Sequence, residues 1–462
     1  MSAYIEVTVP DMMQAREARY FMQRTMLKRY PGAALVCLTM NIAGPVKTTP
    51  AIERAFDWGM DSVRAVLAGN KLLFEADIHE KTGPEAVFVA EGDAKEIKRR
   101  LCLLEDNCEI GRLLDIDVID ASGGKISRTD IGLRARKCLL CEQVASVCAR
   151  SRAHTVDELF AYTHQIIDEH FALAFAKRTA QMAQRALLYE VAITPKPGLV
   201  DRINAGAHSD MDIFTFVDSA CALRDYFETC TRIGLEHHGR GAKTCFDALR
   251  TPGLLAEREM KEATGSVNTH KGAIFSLGIY CAALGMGYDG SGSDTITALN
   301  RCRKMTHARM EEELARIDSA EATTFGETIY KKSRIGGVRA EAASGFSSVR
   351  DAALPRLKAA LDAGVSLNDA GLCALVTLMA RTQDTNAVRR GGEEAAGALR
   401  CTAETLEEEI TAHIAGGTLV IHMEEIRECL IRWDAELSAA HISPGGCADL
   451  LALTLLVKFM EE

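Results

Sequence analysis

Proline is scarce, 10 in 462 residues, and positive charge is in deficit, with 54 lysines and arginines against 64 aspartates and glutamates. The first excludes a proline-rich or collagenous chain, and the net charge of −10 excludes a global pull toward phosphate backbones or anionic lipid. Only local basic sites remain. The N-terminal residues lack the basic and apolar regions of a signal peptide, and the longest uncharged stretch, Gly272 to Tyr288, is rich in glycine and alanine and short for a membrane span. No internal repeat and no proline- or serine-rich linker is visible. With 47% hydrophobic and 26% charged residues the chain reads as a globular cytoplasmic protein, and about 150 residues per domain gives two or three domains. The 15 cysteines are scattered and odd in number, which fits reduced, mostly buried thiols.

Met12, Ala15, Arg19, Met22 and Met26 recur at helical spacing up to the stop at Pro31-Gly32. A short apolar run, 33–40, a loop, 41–47, and a second helical stretch, 50–68, follow. Strand-like runs come next at 71–75, 85–90 and 113–119. Helices alternating with strands to about residue 130 predict an N-terminal α/β or α+β domain. Beyond about residue 155 the periodicity is helical, at 157–190, 213–234, 274–284 and 295–317, so a larger all-α domain follows. The boundary is expected at 175/176, within a helical join.

Two glycine motifs are set aside: Gly285 to Gly290 follows a helix rather than a strand, and Gly239 to Thr244 lacks the glycine before its lysine. Cys138, Cys141, Cys148 and His154 supply enough soft ligands for one zinc ion. Against zinc, Cys138, Cys141 and Ala145 fall on one face of an expected helix, where thiols pack like alanine.

Asp115 and Asp117 alternate with Ile116 and Val118, which points both carboxylates to one strand face, a donor pair for Mg²⁺ or a solvated strand edge. Arg16, Arg19 and Lys47 can meet a polyphosphate or form structural ion pairs. Residues 194–212 form a long polar loop between helices that gathers Lys196, Asp201, Asn204, His208, Asp210 and Asp212. Asn268, His270 and Lys271 precede an apolar helix, whose free N–H groups suit phosphate. Glu327, Arg339, Glu341, Asn368, Asp369, Asp384, Asn386 and Arg389 add polar groups beside apolar helices. Each alone reads as well as a cap; together they point to a Mg-nucleotide site.

These motifs resemble the bifunctional enzyme family that makes and attaches the citrate lyase prosthetic group. The holo-acyl-carrier-protein synthase half (phosphoribosyl-dephospho-CoA transferase) is similar to residues 1–175 through Arg16 to Arg19, Leu38 to Lys47 with Asn41, Gly111 to Val118, and Arg136 to His154. The triphosphoribosyl-dephospho-CoA synthase half is similar to residues 176–462 through Thr194 to Asn204, Gly206 to His208, Asp210 to Asp212, Asn268 to Gly272, and Asp384 to Asn386. Ala340 departs from the expected glycine between Arg339 and Glu341. The resemblance implies a nucleotidyltransferase-like N-terminal fold, ATP and 3′-dephospho-CoA as substrates, and release of adenine in the C-terminal half. It then implies transfer to a serine of the citrate lyase acyl carrier (gamma) subunit with loss of pyrophosphate. On that basis Asp115, Asp117, Asp201, Asp210, Asp212 and Asp384 are candidate catalytic residues, with Asp115, Asp117 and Asp212 as Mg²⁺ ligands. Arg16, Arg19, Asn41, Lys47, Lys196, Asn204, His208, Asn268, His270, Lys271, Arg339, Glu341 and Asn386 are candidate substrate ligands. Arg16, Arg19, Lys28 and Arg29 form an expected carrier-docking face, and neither nucleic acid nor membrane is an expected partner. Competing readings are the equivalent maturation of malonate decarboxylase, a non-catalytic nucleotide-binding regulator with a zinc-loaded Cys/His cluster, and an all-α ADP-ribose hydrolase.

Overall fold

The computed structural model describes residues 4–319, 328, 331 and 336–462, so Glu327 lies outside the described residues. The chain divides into two compact units, the first ending at Ala172 and the second beginning at Leu173.

The first unit is built on a five-stranded sheet in the order β2-β3-β1-β4-β5, with β1 Ala34–Met40, β2 Leu72–Glu80, β3 Gly83–Ala90, β4 Leu114–Ile119 and β5 Lys125–Ile126. Every neighbouring pair is antiparallel, so of the two expected classes α+β is the one observed. Two helices, α2 (Pro50–Leu67) and α3 (Ala94–Asn107), cover one face, burying Val36, Leu38, Phe88, Ile116 and Val118 against Phe56, Val63, Ile97 and Leu101. The opposite face packs Leu35, Val87 and Val89 against Met26 of α1 (Val9–Arg29). Thr8 and Asp11 close a reciprocal capping box at the start of α1. Helix α3 was not legible in the sequence; its polar residues outnumber the stripe formed by Ile97 and Leu101.

A short helix, α4 (Ala145–Ser151), precedes α5 (Val156–Ala192), which belongs to the first unit up to Ala172 and to the second from Leu173. All described secondary structure of the second unit is helical. One core surrounds α10 (Lys271–Met286), which is buried almost all round and therefore lacks a polar face. Its neighbours include α7 (Arg224–Glu236), α11 (Thr295–Ser319) and α17 (Gly445–Met460), and α14 (Leu367–Arg381) packs against α17. The intervening helices are α6 (Ile213–Ala222), α8 (Ala242–Ala248), α9 (Arg250–Ala263), α12 (Gly337–Ser344), α13 (Leu354–Asp362), α15 (Thr385–Ala415) and α16 (Leu419–Ala439). No described helix is long and apolar enough to cross a membrane.

Candidate functional sites

In the second unit a cavity of about 650 Å³ is lined by the first residues of α10, α15 and α17. Each helix start carries the positive end of a helix dipole, so three of them on one cavity favour negative charge there. Gly272 and Gly446 allow carboxylates to lie against the backbone there. A Cβ on Gly272 would come within 2.0 Å of Asp449 Oδ2, and one on Gly446 within 2.9 Å of Asp384 Oδ2.

Lys196 lies in this cavity, 1% exposed, with its ammonium donating to the backbone oxygen of Glu190 at 2.8 Å and paired with the Glu190 carboxylate. Burial raises the pKa of Glu190 against the pull of Lys196. Asp449 is raised well above the ordinary carboxylate range by burial and by repulsion from Glu190 and Asp384. Burial also raises Asp384, whose carboxylate accepts from the backbone N–H groups of Asn386 at 2.7 Å, Ala387 at 3.1 Å and Cys447 at 2.9 Å. The three acids thus outnumber the one buried ammonium, and they lose protons readily only when a further cation enters.

Two histidines complete the wall. His270 is 2% exposed, and burial followed by the Lys196 charge lowers its pKa to about 3. Its Nδ1 lies 2.7 Å from Ser219 Oγ, while Nε2 has no hydrogen-bond partner among the described residues. His208 is lowered to about 4 by burial and the nearby Arg390. Arg390 donates to His208 Nδ1 at 3.1 Å, so the neutral ring carries its proton on Nε2 and donates it to Ser443 Oγ at 2.9 Å.

Of the other expected residues, Asp210, Asn268, Lys271, Glu341 and Asn386 line the cavity, with Arg389. Lys271 is exposed and pairs with Glu257 at 3.0 Å. Burial raises the pKa of Glu341. Asp201, Asn204, Asp212 and Arg339 are not among the lining residues. Asp201 is consumed by its own loop, accepting from Thr194 Oγ1 at 2.6 Å and from the N–H groups of Lys196, Ile203 and Asn204. Asn204 donates to buried Asp434, which also holds Gly198 N, and Asn368 brackets Thr194 through both its backbone groups. Asp212 is an exposed cap, accepting from Thr215 N at 2.9 Å at the start of α6. Glu190, Asp449, Ser443 and the Gly445-Gly446 pair escaped the sequence reading. Their one signal was a lone acid inside the apolar run 447–457, just after a Ser-Pro-Gly-Gly turn.

In the first unit β4 has the expected alternation, with Ile116 and Val118 in the core and Asp115 and Asp117 on the opposite face. Strand register places Thr39 opposite both Glu85 and Asp115, and Cys37 opposite Asp117. Arg19 reaches this face from α1, its Nε donating to Glu85 Oε2 at 2.8 Å, and Lys125 pairs with Asp117 at 2.7 Å. Asn41, at the end of β1, donates its backbone N–H to Leu113 O at 2.7 Å. Lys47 donates to Ile42 O at 2.5 Å, and burial, with exposed Arg16 nearby, lowers its pKa. Burial pushes the Cys37 thiol up to about 11, so it is no nucleophile at neutral pH. The expected docking face is corrected at Arg19, whose guanidinium is bonded to the sheet rather than presented outward.

The cysteine cluster is also corrected. Cys138 and Cys141 lie on a turn closed by pairing of Lys137 with Val144, and α4 begins only at Ala145. Leu139 and Leu140 mimicked a helical stripe. The Sγ atoms of Cys138, Cys141 and Cys148 and a ring nitrogen of His154 all lie within 4.8 Å of one another.

Comparison with known proteins adds the following. Residues 176–462 match the family described as ATP:dephospho-CoA triphosphoribosyl transferase, and residues 7–170 match apo-citrate lyase phosphoribosyl-dephospho-CoA transferase. The chain is 31% identical over 459 residues to Protein CitXG of Haemophilus influenzae, covering 97% of this chain and 96% of that protein. Protein CitXG of Leuconostoc mesenteroides subsp. cremoris is 32% identical over 458 residues, with the same coverage. A 2-(5''-triphosphoribosyl)-3'-dephosphocoenzyme-A synthase of Haemophilus ducreyi is 32% identical over 330 residues, covering 68% of this chain and 98% of that protein.

Proposed function

The chain belongs to the bifunctional citrate lyase maturation family and is a two-reaction transferase; from that premise we propose how its residues divide the chemistry. The second unit joins ATP to 3′-dephospho-CoA. The 2′-hydroxyl of dephospho-CoA attacks C1 of the ATP ribose, the C1–N9 bond breaks, and adenine leaves while the triphosphate is kept. The observation that carries this assignment is the cavity itself, where three helix starts meet four carboxyl groups of raised pKa, Glu190, Glu341, Asp384 and Asp449. The helix starts, with Lys196, Lys271, Arg389 and Arg390, suit the triphosphate. Asp449 suits the proton of the attacking hydroxyl, because a carboxylate of raised pKa is a stronger base than a free one. Glu190 and Asp384 oppose the positive charge that develops on the ribose. Mg²⁺ brought with ATP would neutralise phosphate charge, and the cation-poor acid group fits it.

The first unit passes the product to a serine of the citrate lyase acyl carrier subunit. The serine oxygen bonds to the α-phosphorus and the bond to pyrophosphate breaks. Asp115, exposed, and Asp117, half-buried, two carboxylates on one sheet face, are the donor pair suited to Mg²⁺ there. Arg19 and Lys125 border that pair and suit the phosphates. Fifteen free thiols fit work in a reducing cytoplasm. Incubation of the protein with ATP, Mg²⁺ and dephospho-CoA is expected to release one adenine per new, heavier CoA species. ATP left intact under those conditions, or adenine released without dephospho-CoA, would exclude the assignment.

A further inference from the structure

The turn at 138–141, helix α4 and the chain leading into α5 bring three sulfurs and one imidazole together, with all three thiols free of a disulfide. Four features mark the cluster as built. The backbone N–H groups of Leu140 and Cys141 point at the Cys138 sulfur, the arrangement that stabilises a bound thiolate rather than a packed methyl-like thiol. Cys138 and Cys148 are buried, 7% and 4% exposed. The chain reverses after α4 through Arg152 at φ 50°, a left-handed conformation uncommon for a residue other than glycine, and this reversal carries His154 back to Cys148. His154 Nε2 is buried and has no hydrogen-bond partner among the described residues, a cost that a ligand removes.

We propose that Cys138, Cys141, Cys148 and His154 bind one structural zinc ion in the first unit. Bonds of about 2.3 Å to sulfur set a tetrahedral edge of about 3.8 Å, within the present spread of the four ligand atoms. Binding forms three Zn–S bonds and one Zn–N bond, and each of the three thiols releases its proton to solvent. All four positions are filled by protein, so the ion has no open position for substrate and acts by position alone.

The mechanical consequence reaches β4. Arg112 donates to the Cys138 carbonyl at 2.6 Å, and Arg136, two residues before that cysteine, donates to Leu114 O at 2.5 Å. Zinc therefore fixes the turn that anchors the residue preceding Asp115. The ion belongs to the carrier-modifying unit and has no part in adenine release, so a failure of the zinc assignment and a failure of the enzymatic reading register in different assays.

The test is elemental analysis of the reduced full chain, desalted after purification without chelator. One zinc per chain is expected, falling below a tenth in both Cys141→Ser and Cys148→Ser, with adenine release unchanged in each. Zinc removal from the wild-type chain by a competing chelator should expose three additional reactive thiols and, on re-addition of Zn²⁺, release protons. Wild-type protein that neither carries zinc nor takes it up, iron in its place, or zinc retained in both variants would overturn the proposal.

Discussion

At the scale of single residues, the cavity is distinguished by groups held away from their ordinary protonation. His270 and His208 have folded values of about 3 and about 4, below the ordinary 6.5. The unfolded chain binds the protons that these rings refuse, so their share of stability is complete above about pH 6.5 and is lost as pH falls toward the folded values. For His270 the gap corresponds to at most ~5 kcal/mol. Thermal unfolding between pH 7 and 4 should therefore show a shallower loss of stability in His270→Gln than in wild type; parallel curves would remove the effect. Asp449 carries the opposite sign. Its raised value favours the fold at low pH and opposes it as pH rises through that value. Asp449→Asn is expected to unfold at the same or a higher temperature at pH 7 while adenine release falls by a factor of about 10²–10⁴. A near-normal rate would take the proton-accepting role away from Asp449. The sequence showed which residue types gather, but not which of them line the cavity: Asp201 and Asp212 have the composition of a site and the hydrogen bonds of a loop and a cap. Glu190 and Asp449 sit in apolar surroundings that read as core.

At the scale of elements, α7 and α10 pack backbone against backbone. A Cβ on Gly234 would lie 2.1 Å from Ala282 O, and one on Gly285 2.1 Å from Thr231 O, so two backbones meet where only glycine fits. Gly285→Ala should cost about 1–3 kcal/mol through forced separation of the helices, read as a lower denaturation midpoint of the second unit. An unchanged midpoint would show that the crossing tolerates a methyl group. Elements with a clean period were legible: α1 and α2 from their spacing, β4 from strict alternation, and α10 from its apolar length. The turn at Cys138 was misread because leucines between two cysteines imitate a helical stripe, and only the pairing of Lys137 with Val144 distinguishes the two. Antiparallel pairing of the sheet was likewise beyond local sequence, since strand direction is set by nonlocal contacts.

For the whole molecule, two units with separate cores carry two kinds of acid group: carboxyls of raised pKa around a cavity in one, a pair of aspartates on a sheet face in the other. The first arrangement suits a reaction through a cationic sugar, the second an attack on phosphorus. Joining them in one chain places the product of one reaction at high local concentration for the next. The division of labour is tested most directly by supplying Asp115→Ala protein with ATP, Mg²⁺, dephospho-CoA and the acyl carrier subunit, and weighing every product by mass spectrometry. Adenine and triphosphoribosyl-dephospho-CoA should accumulate in equal amounts beside an unmodified carrier, and later addition of Asp449→Asn protein should complete the transfer. A modified carrier before that addition, or no intermediate at all, would contradict the assignment of one reaction to each unit.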